Sequence, residues 1–242
     1  MDRRAVLLTI AGAGVAGSAL GQTPDPQQPA APKVTLTTTM GVIEITLDPV
    51  GAPLTSAHML KLFQSGHYVG KAIYRIEPGF IIQMGDLDAD WKHHWPPAPW
   101  VAGTTVPLET ANNRHARGTV SLARADDPNS GMSTFYFDLA DNTSLNATPG
   151  APPNTTGYAT FGRVSAGMEV LDAIAAVPRA PTGGPFPGKA PVTPITIVSV
   201  VTDPPAPRPA RSASPATGAP SRGRAPARGN RPNSPAGPGR RR

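Results

Sequence analysis

Apolar and polar residues alternate along several short stretches in the middle of the chain, and this spacing predicts half-buried β-strands. Residues 34–40 alternate in this way, and residues 42–47 do so again. The Met40-Gly41 pair between these stretches is typical of a turn, so together they predict a β-hairpin. Further strand-like runs lie at residues 72–76, 80–84, 118–123, 134–137, 158–164 and 194–201.

Two stretches have the spacing of amphipathic helices instead. The first begins at Pro53 and ends before Gly66, with apolar residues at the i, i+3 and i+4 positions. The second begins at Ser165 and ends at Pro178, with Glu169 near its N-terminus, where the helix dipole favours a negative charge. Many short strands, two isolated helices and no regular alternation of strand and helix are typical of an all-β barrel or sandwich with helical caps.

The N-terminal residues have the composition of an export signal. In residues 1–21 two arginines precede an apolar run, and small residues allow cleavage before Gln22. The run is shorter than the ~20 residues that span a bilayer, so we expect a cleaved signal rather than an anchor, by the general secretory or the twin-arginine route. The proline-rich residues 22–32 are interpreted as a linker, and the mature protein is expected to be periplasmic or secreted without a transmembrane segment.

The C-terminal residues 204–242 contain ten prolines, nine arginines and no acidic residue. Such a segment cannot bury enough apolar surface to fold, so we predict a disordered tail. The tail accounts for the net charge of +6, because residues 22–203 hold 11 basic and 15 acidic residues. That balance disfavours a basic nucleic-acid-binding domain. The tail is either a solvated extension, which we favour, or an attachment to an anionic surface or polymer.

The chain has no cysteine, which excludes disulfides, thiolate nucleophiles and cysteine-ligated metals. The adjacent His93 and His94 lie near several aspartates and are candidate metal ligands. Neighbouring residues on an irregular loop rarely converge on a metal without a third ligand at a fixed spacing. We therefore predict no metal site, and expect the aromatic residues of this loop to cover an edge of the barrel.

Four sequence blocks occur in a fixed order along the predicted strands. They are YRIEPGFIIQMGD at 74–86, RGTVSLAR at 117–124, DPNS and STFYF within 127–137, and GYATFGRV followed by GMEV within 157–170. The series resembles the cyclophilin-type peptidyl-prolyl isomerases, whose first block usually reads FHRxxPGFxxQGGD. The resemblance extends over about residues 34–201, and with the N-terminal signal it indicates a bacterial exported member. It implies a domain at 33–203 that is an eight-stranded antiparallel barrel capped by two α-helices.

The resemblance implies an enzyme that accelerates rotation about X–Pro peptide bonds of folding polypeptides. Breaking the amide conjugation costs about 18–20 kcal/mol in water. The rotation needs no nucleophile, metal or redox centre, so we expect no cofactor, and we expect a monomer. A fixed donor beside the prolyl amide would stabilise the twisted bond, and an apolar pocket would hold the ring. By resemblance Arg75 is that donor.

The substrate-binding residues that the resemblance implies are Phe80, Ile81, Gln83, Ala123, Arg124, Thr134, Tyr136, Leu145 and Tyr158. Those expected to line the proline pocket are Phe80, Ile81, Tyr136 and Leu145, with Tyr158 where many members have histidine. Gln83 is expected to orient Arg75 and to bind substrate backbone. Ala123 and Arg124 are expected to flank the residue that precedes the proline.

Three positions depart from the family pattern. Thr134 replaces a glutamine that contacts substrate, and Met84 replaces a glycine and is expected to add bulk close to the site. Ser144 stands near the place of an aromatic residue associated with tight cyclosporin binding, so we expect weak binding of that drug. These departures keep a second interpretation open, in which the barrel is a weakly catalytic or non-catalytic module that binds proline-containing peptides.

Overall fold

The computed structural model describes residues 30–96, 104–111 and 114–203. The strands are β1 (Lys33–Thr38), β2 (Gly41–Leu47), β3 (Ile73–Glu77), β4 (Ile81–Met84), β5 (Thr119–Leu122), β6 (Phe135–Asp138), β7 (Thr160–Ala166) and β8 (Ile197–Asp203). The helices are α1 (Pro53–Gln64) and α2 (Met168–Ala175), and a 3₁₀ turn spans Thr143–Leu145. The predicted signal, the predicted tail and most of the predicted linker lie outside the described residues.

All eight strands belong to one antiparallel sheet with the order β3-β4-β6-β5-β7-β2-β1-β8. An isolated bridge between Ala72 and Thr196 lies just before β3 and β8, so the two edges of the curled sheet meet there. The predicted all-β fold, eight antiparallel strands with two helices, is confirmed. Within the described residues, no helix combines the length and the apolar composition that crossing a bilayer requires.

The core follows from the alternation along the strands. Leu36 on β1 and Ile43 and Ile45 on β2 are fully buried, and their polar neighbours point outward. Burying a side chain of this size stabilises the fold by about 1.5–3 kcal/mol. α1 adds Phe63, whose ring lies 5.6 Å from that of Phe135 on β6. The helices thus close the barrel with the apolar residues that their spacing predicted.

Several predicted element boundaries are wrong, including those of α2 and of the last strand. α2 begins at Met168 rather than at Ser165, because β7 continues to Ala166. Gly167 then reverses the chain with a φ of 91°, which is strained for other residues. The last strand begins at Ile197 rather than at residue 194, and it extends to Asp203.

Candidate active site

The candidate site lies on the outer face of the barrel strands, opposite the core. Along β4, Ile82 and Met84 are part of the hydrophobic core, whereas Ile81 and Gln83 line a surface cavity. Tyr136 on β6 pairs with Gln83 in register, so it faces the same side of the sheet. Met84 therefore does not add bulk near the site, and that expectation is wrong, because the period of two along a strand turns its side chain inward.

A β-bulge places Arg75 on this outer face. Ile73 pairs with Met84, but the register then shifts, so that Arg75 pairs with Gln83. Ile73 is buried in the core, and regular alternation would turn Arg75 toward the core as well. The extra residue at Tyr74 changes the alternation, which is the usual structural effect of a bulge. Arg75 consequently lies on the same face of the sheet as Gln83, and both line the cavity.

Nine of the ten sequence-predicted site residues line one cavity of about 140 Å³: Arg75, Phe80, Ile81, Gln83, Ala123, Arg124, Tyr136, Leu145 and Tyr158. The cavity is smaller than the roughly 300–1,000 Å³ of sites for drug-sized ligands, which suits a single side chain. Leu145 reaches it from the 3₁₀ turn in the loop after β6. The tenth residue, Thr134, lines an adjoining cavity of about 340 Å³ instead.

The guanidinium of Arg75 is held by two side chains. Its Nη1 donates to Gln83 Oε1 at 2.9 Å, and its Nε donates to Glu77 Oε1 at 2.6 Å. Nη2 also contacts Glu77 Oε1. A guanidinium carries five N–H donors, so at least two are not used by these contacts within the described residues. The side chain that carries these donors lines the cavity.

Glu77 connects Arg75 to a second cation from a distant part of the chain. Lys189 Nζ donates to Glu77 Oε2 at 3.0 Å. Partial burial alone would raise the pKa of Glu77, but the hydrogen bonds from Lys189 and Arg75 lower it below its ordinary value. Phe186 lies over the guanidinium, with Arg75 Cζ 5.0 Å from the ring centroid, a cation–π geometry. None of these three residues was predicted from the sequence, although the position of Glu77, two residues after Arg75 on one strand, indicates that the two side chains share a face.

The opposite side of the cavity is aromatic. Tyr136 stacks on His115 with ring centroids 6.2 Å apart and meets Tyr158 edge-on at 5.9 Å. His115 Nδ1 lies 3.0 Å from the amide oxygen of Asn146, which only accepts, so Nδ1 carries the hydrogen. His115 Nε2 therefore accepts a hydrogen bond from the Tyr136 hydroxyl at 3.1 Å. Burial lowers the pKa of His115 and raises that of Tyr136, so both are neutral near pH 7.

A buried carboxyl group lies behind this aromatic side. Asn142 Nδ2 donates to the carbonyl of Phe80 at 2.9 Å and to Asp138 Oδ1 at 2.7 Å. Asp138 Oδ2 has no partner within the described residues. Burial raises the pKa of Asp138 to about 7, although the hydrogen bond from Asn142 opposes the shift. The link through Asn142 fixes the backbone of Phe80 at the edge of the cavity.

Arg124 lies between the two cavities and lines both. Its Nε donates to the carbonyl of Gly157 at 2.9 Å, and its Cζ lies 5.0 Å from the ring centroid of Tyr158. In the adjoining cavity the Thr134 hydroxyl donates to Asp86 Oδ2 at 3.3 Å. The hydroxyl of Thr134 is therefore directed at a carboxylate of the protein.

The two adjacent histidines do not converge on one point. His93 faces Asp86, with 3.6 Å between Nε2 and Oδ2, whereas His94 Nε2 lies 2.6 Å from Asp88 Oδ2. The part of the chain that the structure describes contains no group of three or more histidines, aspartates or glutamates able to hold a metal ion. A separate apolar cavity of about 480 Å³, lined by residues including Met40 and Val192, carries no charged side chain.

Comparison with known proteins agrees with this geometry. Residues 33–202 match the model of the cyclophilin type peptidyl-prolyl cis-trans isomerase/CLD family. The chain is 36% identical over 169 residues to peptidyl-prolyl cis-trans isomerase A of Dickeya dadantii, covering 69% of this chain and 82% of that protein. It is also 36% identical to the peptidyl-prolyl cis-trans isomerase cyp18 of Streptomyces antibioticus, covering 69% of this chain and 95% of the relative.

The fold has solved counterparts as well. A crystal structure of a cyclophilin type peptidyl-prolyl cis-trans isomerase from Cryptosporidium parvum superposes with a TM-score of 0.58 at 24% identity, covering 71% of this chain and 97% of that one. This likeness concerns the fold alone. The family match over residues 33–202 and the two bacterial relatives establish what the strands and cavity indicated: the chain belongs to the cyclophilin-type peptidyl-prolyl cis-trans isomerases and is an isomerase enzyme.

Proposed function

We propose that Arg75 accelerates X–Pro rotation by donating a hydrogen bond to the twisted prolyl amide. Twisting the bond breaks the conjugation of the nitrogen lone pair, which then becomes a better acceptor than in either planar form. A donor that binds this lone pair stabilises the transition state more than the cis or the trans ground state. The unused N–H groups of Arg75 at the cavity supply such a donor, because Gln83 and Glu77 already fix the guanidinium.

The cavity of about 140 Å³ would hold the proline ring while the preceding residue turns. The aromatic side of the cavity is uncharged, because the Tyr136 hydroxyl stays protonated and donates a hydrogen bond to the neutral His115. Ala123 and Arg124 border both cavities and would flank the residue before the proline. A related Cryptosporidium parvum structure was determined in the presence of the dipeptide Ala-Pro, which supports a proline-containing ligand here.

The observation that carries this mechanism is the position of Arg75 in one cavity with Phe80 and Tyr136. We expect Arg75→Ala to lower kcat/KM for a proline-containing peptide by about 100-fold or more, the usual effect of removing a transition-state donor. Peptide affinity should change much less. Arg163→Ala, an exposed arginine on β7, is the matched control and should retain full activity. Equal rates for the wild type and Arg75→Ala would contradict the mechanism.

One observation favours the alternative of a weakly catalytic module that binds proline peptides. The Thr134 hydroxyl is directed at Asp86, so it does not replace the amide that family members offer to substrate. In this case Thr134→Gln should raise kcat/KM several-fold, toward the rate of a typical member. Peptide binding by the wild type without any acceleration of rotation would favour the alternative over the isomerase mechanism.

We propose further that the enzyme is an exported bacterial form that acts in the periplasm or outside the cell. The arginine pair and apolar run of residues 1–21 support cleavage before Gln22, after which the clients would be proteins folding outside the cytoplasm. Mass spectrometry of the mature protein should find Gln22 at the N-terminus; an intact Met1 would contradict export by cleavage.

If residues 204–242 attach the protein to an anionic surface, their deletion should abolish retention and leave isomerisation intact.

A further inference from the structure

We propose that Glu77 and Lys189 are positioning residues that set the orientation and the effective charge of the Arg75 guanidinium. This inference rests on the proposed role of Arg75. The three side chains form one continuous chain of contacts: Arg75 Nε to Glu77 Oε1 at 2.6 Å, and Lys189 Nζ to Glu77 Oε2 at 3.0 Å. Each oxygen of the carboxylate thus faces a different cation.

The backbone holds Lys189 in place from a remote part of the sequence. The amide of Ile76 on β3 donates to the carbonyl of Lys189 at 2.9 Å, and the amide of Lys189 donates to the carbonyl of Phe186 at 3.0 Å. The Phe186 ring stacks on Tyr74, with centroids 6.0 Å apart and planes 14° from parallel. The segment 186–189 is therefore fixed against β3 on both sides of Arg75. The cation–π contact with Phe186 covers one face of the guanidinium.

Glu77 alone would have two opposing effects on the catalytic group. Its carboxylate restrains the guanidinium beside Gln83, so that the Arg75 side chain stays at the cavity that it lines. The same negative charge reduces the positive potential that Arg75 presents to the prolyl nitrogen. The side chains of Arg75 and Glu77 are only 25% and 23% exposed, so water screens this effect incompletely.

The positive charge of Lys189 offsets the negative charge of Glu77. With Lys189 on the second carboxylate oxygen, the group of three carries a net charge of +1 instead of zero. Glu77 can then orient Arg75 without cancelling its charge. The arrangement predicts that removing Lys189 lowers the rate of rotation, although no contact of Lys189 with a peptide in the cavity is required.

The decisive comparison is between two substitutions of Lys189 in the full chain. Lys189→Met should lower kcat by about tenfold, equivalent to about 1.4 kcal/mol of transition-state stabilisation, and leave KM nearly unchanged. Lys189→Arg keeps the charge and should restore most of the rate. Lys61→Met removes the same charge from the exposed end of α1 and should have no effect. Circular dichroism would establish that the variants are folded, as expected for a side chain that is 41% exposed.

Glu77→Ala is the second test of the inference. The substitution removes the carboxylate that orients the Arg75 guanidinium, so we expect kcat to fall while peptide affinity stays nearly unchanged. A wild-type rate for Lys189→Met, or equal loss in Lys189→Met and Lys189→Arg, would overturn the inference. Either result, combined with an inactive Arg75→Ala, would leave the proposed function intact. Full activity of Arg75→Ala would instead remove the proposed function itself.

Discussion

The two sides of the cavity that contains Arg75 are built from different kinds of interaction. We define the ionic wall as Arg75 and Gln83, which line the cavity, with Glu77 and Lys189 behind them. We define the aromatic wall as Phe80, Tyr136 and Tyr158, which line the cavity, with His115 behind them. In the ionic wall, charged hydrogen bonds join Arg75 to Glu77 and Gln83, and the side chains of Arg75 and Glu77 are 25% and 23% exposed. In the aromatic wall, Tyr136 is only 3% exposed, and its hydroxyl bonds to the neutral His115.

The difference in burial separates stability from catalysis. Partly exposed ion pairs contribute about 0–1 kcal/mol to folding, because water competes for the same charges. Buried aromatic side chains contribute several times more through packing. Substitutions in the ionic wall should therefore change the rate at nearly constant stability. Substitutions in the aromatic wall should change stability and substrate affinity together.

The largest effect on stability is expected for Tyr136→Ala. Emptying a buried aromatic position costs about 3–5 kcal/mol, and the proline ring would lose one side of its cavity, so KM should rise as well. Tyr136→Phe is the matched variant: it keeps the ring and removes only the hydroxyl that bonds His115 Nε2. That change should cost about 1–3 kcal/mol, because a buried acceptor loses its donor. Urea unfolding measures both, and equal losses would show that the ring contributes nothing beyond its hydroxyl.

A pH-dependent effect of intermediate size is expected for Asp138→Asn. Burial raises the pKa of Asp138 from 3.8 to about 7, so the folded state keeps a proton that the unfolded chain has released. Stability from this group is therefore present at acid pH and is lost as the pH rises toward 7. At about 1.4 kcal/mol per pKa unit, the asparagine variant should be more stable than the wild type by a few kcal/mol at pH 8.

The gain of Asp138→Asn should shrink steadily below pH 7 and vanish near pH 4. Asp126→Asn, which removes a carboxylate from an exposed segment, is the matched control. Thermal unfolding across this pH range is the measurement. A constant difference between wild type and Asp138→Asn at every pH would mean that the carboxyl of Asp138 titrates normally.

Much of this arrangement was readable from the sequence. The alternation in residues 34–47 predicted the β1–β2 hairpin, because strands with one buried face repeat every two residues. The four motif blocks contain nine of the ten candidate residues, all except Leu145, and the structure places nine of the ten around one cavity. These are local signals, since each block is continuous along the chain and Phe80, Ile81 and Gln83 lie within a single one.

The parts that sequence reasoning missed depend on contacts between distant segments. Lys189 meets Glu77 across 112 positions, and nothing near either residue indicates the other. His115 lies outside the four blocks, and only the pairing of β6 with its neighbours brings Tyr136 over its ring. The bulge at Tyr74 reverses the alternation by one residue, which the pattern of apolar positions does not reveal. Met84 was wrongly expected to lie near the site for a different reason, since the regular alternation along β4 turns its side chain into the core.

The smallest effect on stability is expected for Glu77→Gln, and it tests the comparison most sharply. Near pH 7 the loss should be below about 1 kcal/mol, because the pair is partly exposed and glutamine still offers an acceptor to Arg75. Partial burial would raise the pKa of Glu77, but the hydrogen bonds from Lys189 and Arg75 hold it below 4.5. The stabilisation by its charge is thus present above pH 4.5 and is lost as the pH falls through the lowered pKa, where wild type and variant should converge.

The matched variant for this comparison is Glu77→Ala, which removes the acceptor as well as the charge. Both Glu77 variants should unfold at nearly the wild-type urea concentration, yet only the alanine variant should lose much of its kcat, because only it frees the guanidinium. If the two Glu77 variants instead lost free energy of unfolding in proportion to their loss of kcat, the ionic wall would contribute to stability as the aromatic wall does. The division of the cavity into a side for catalysis and a side for packing would then be wrong.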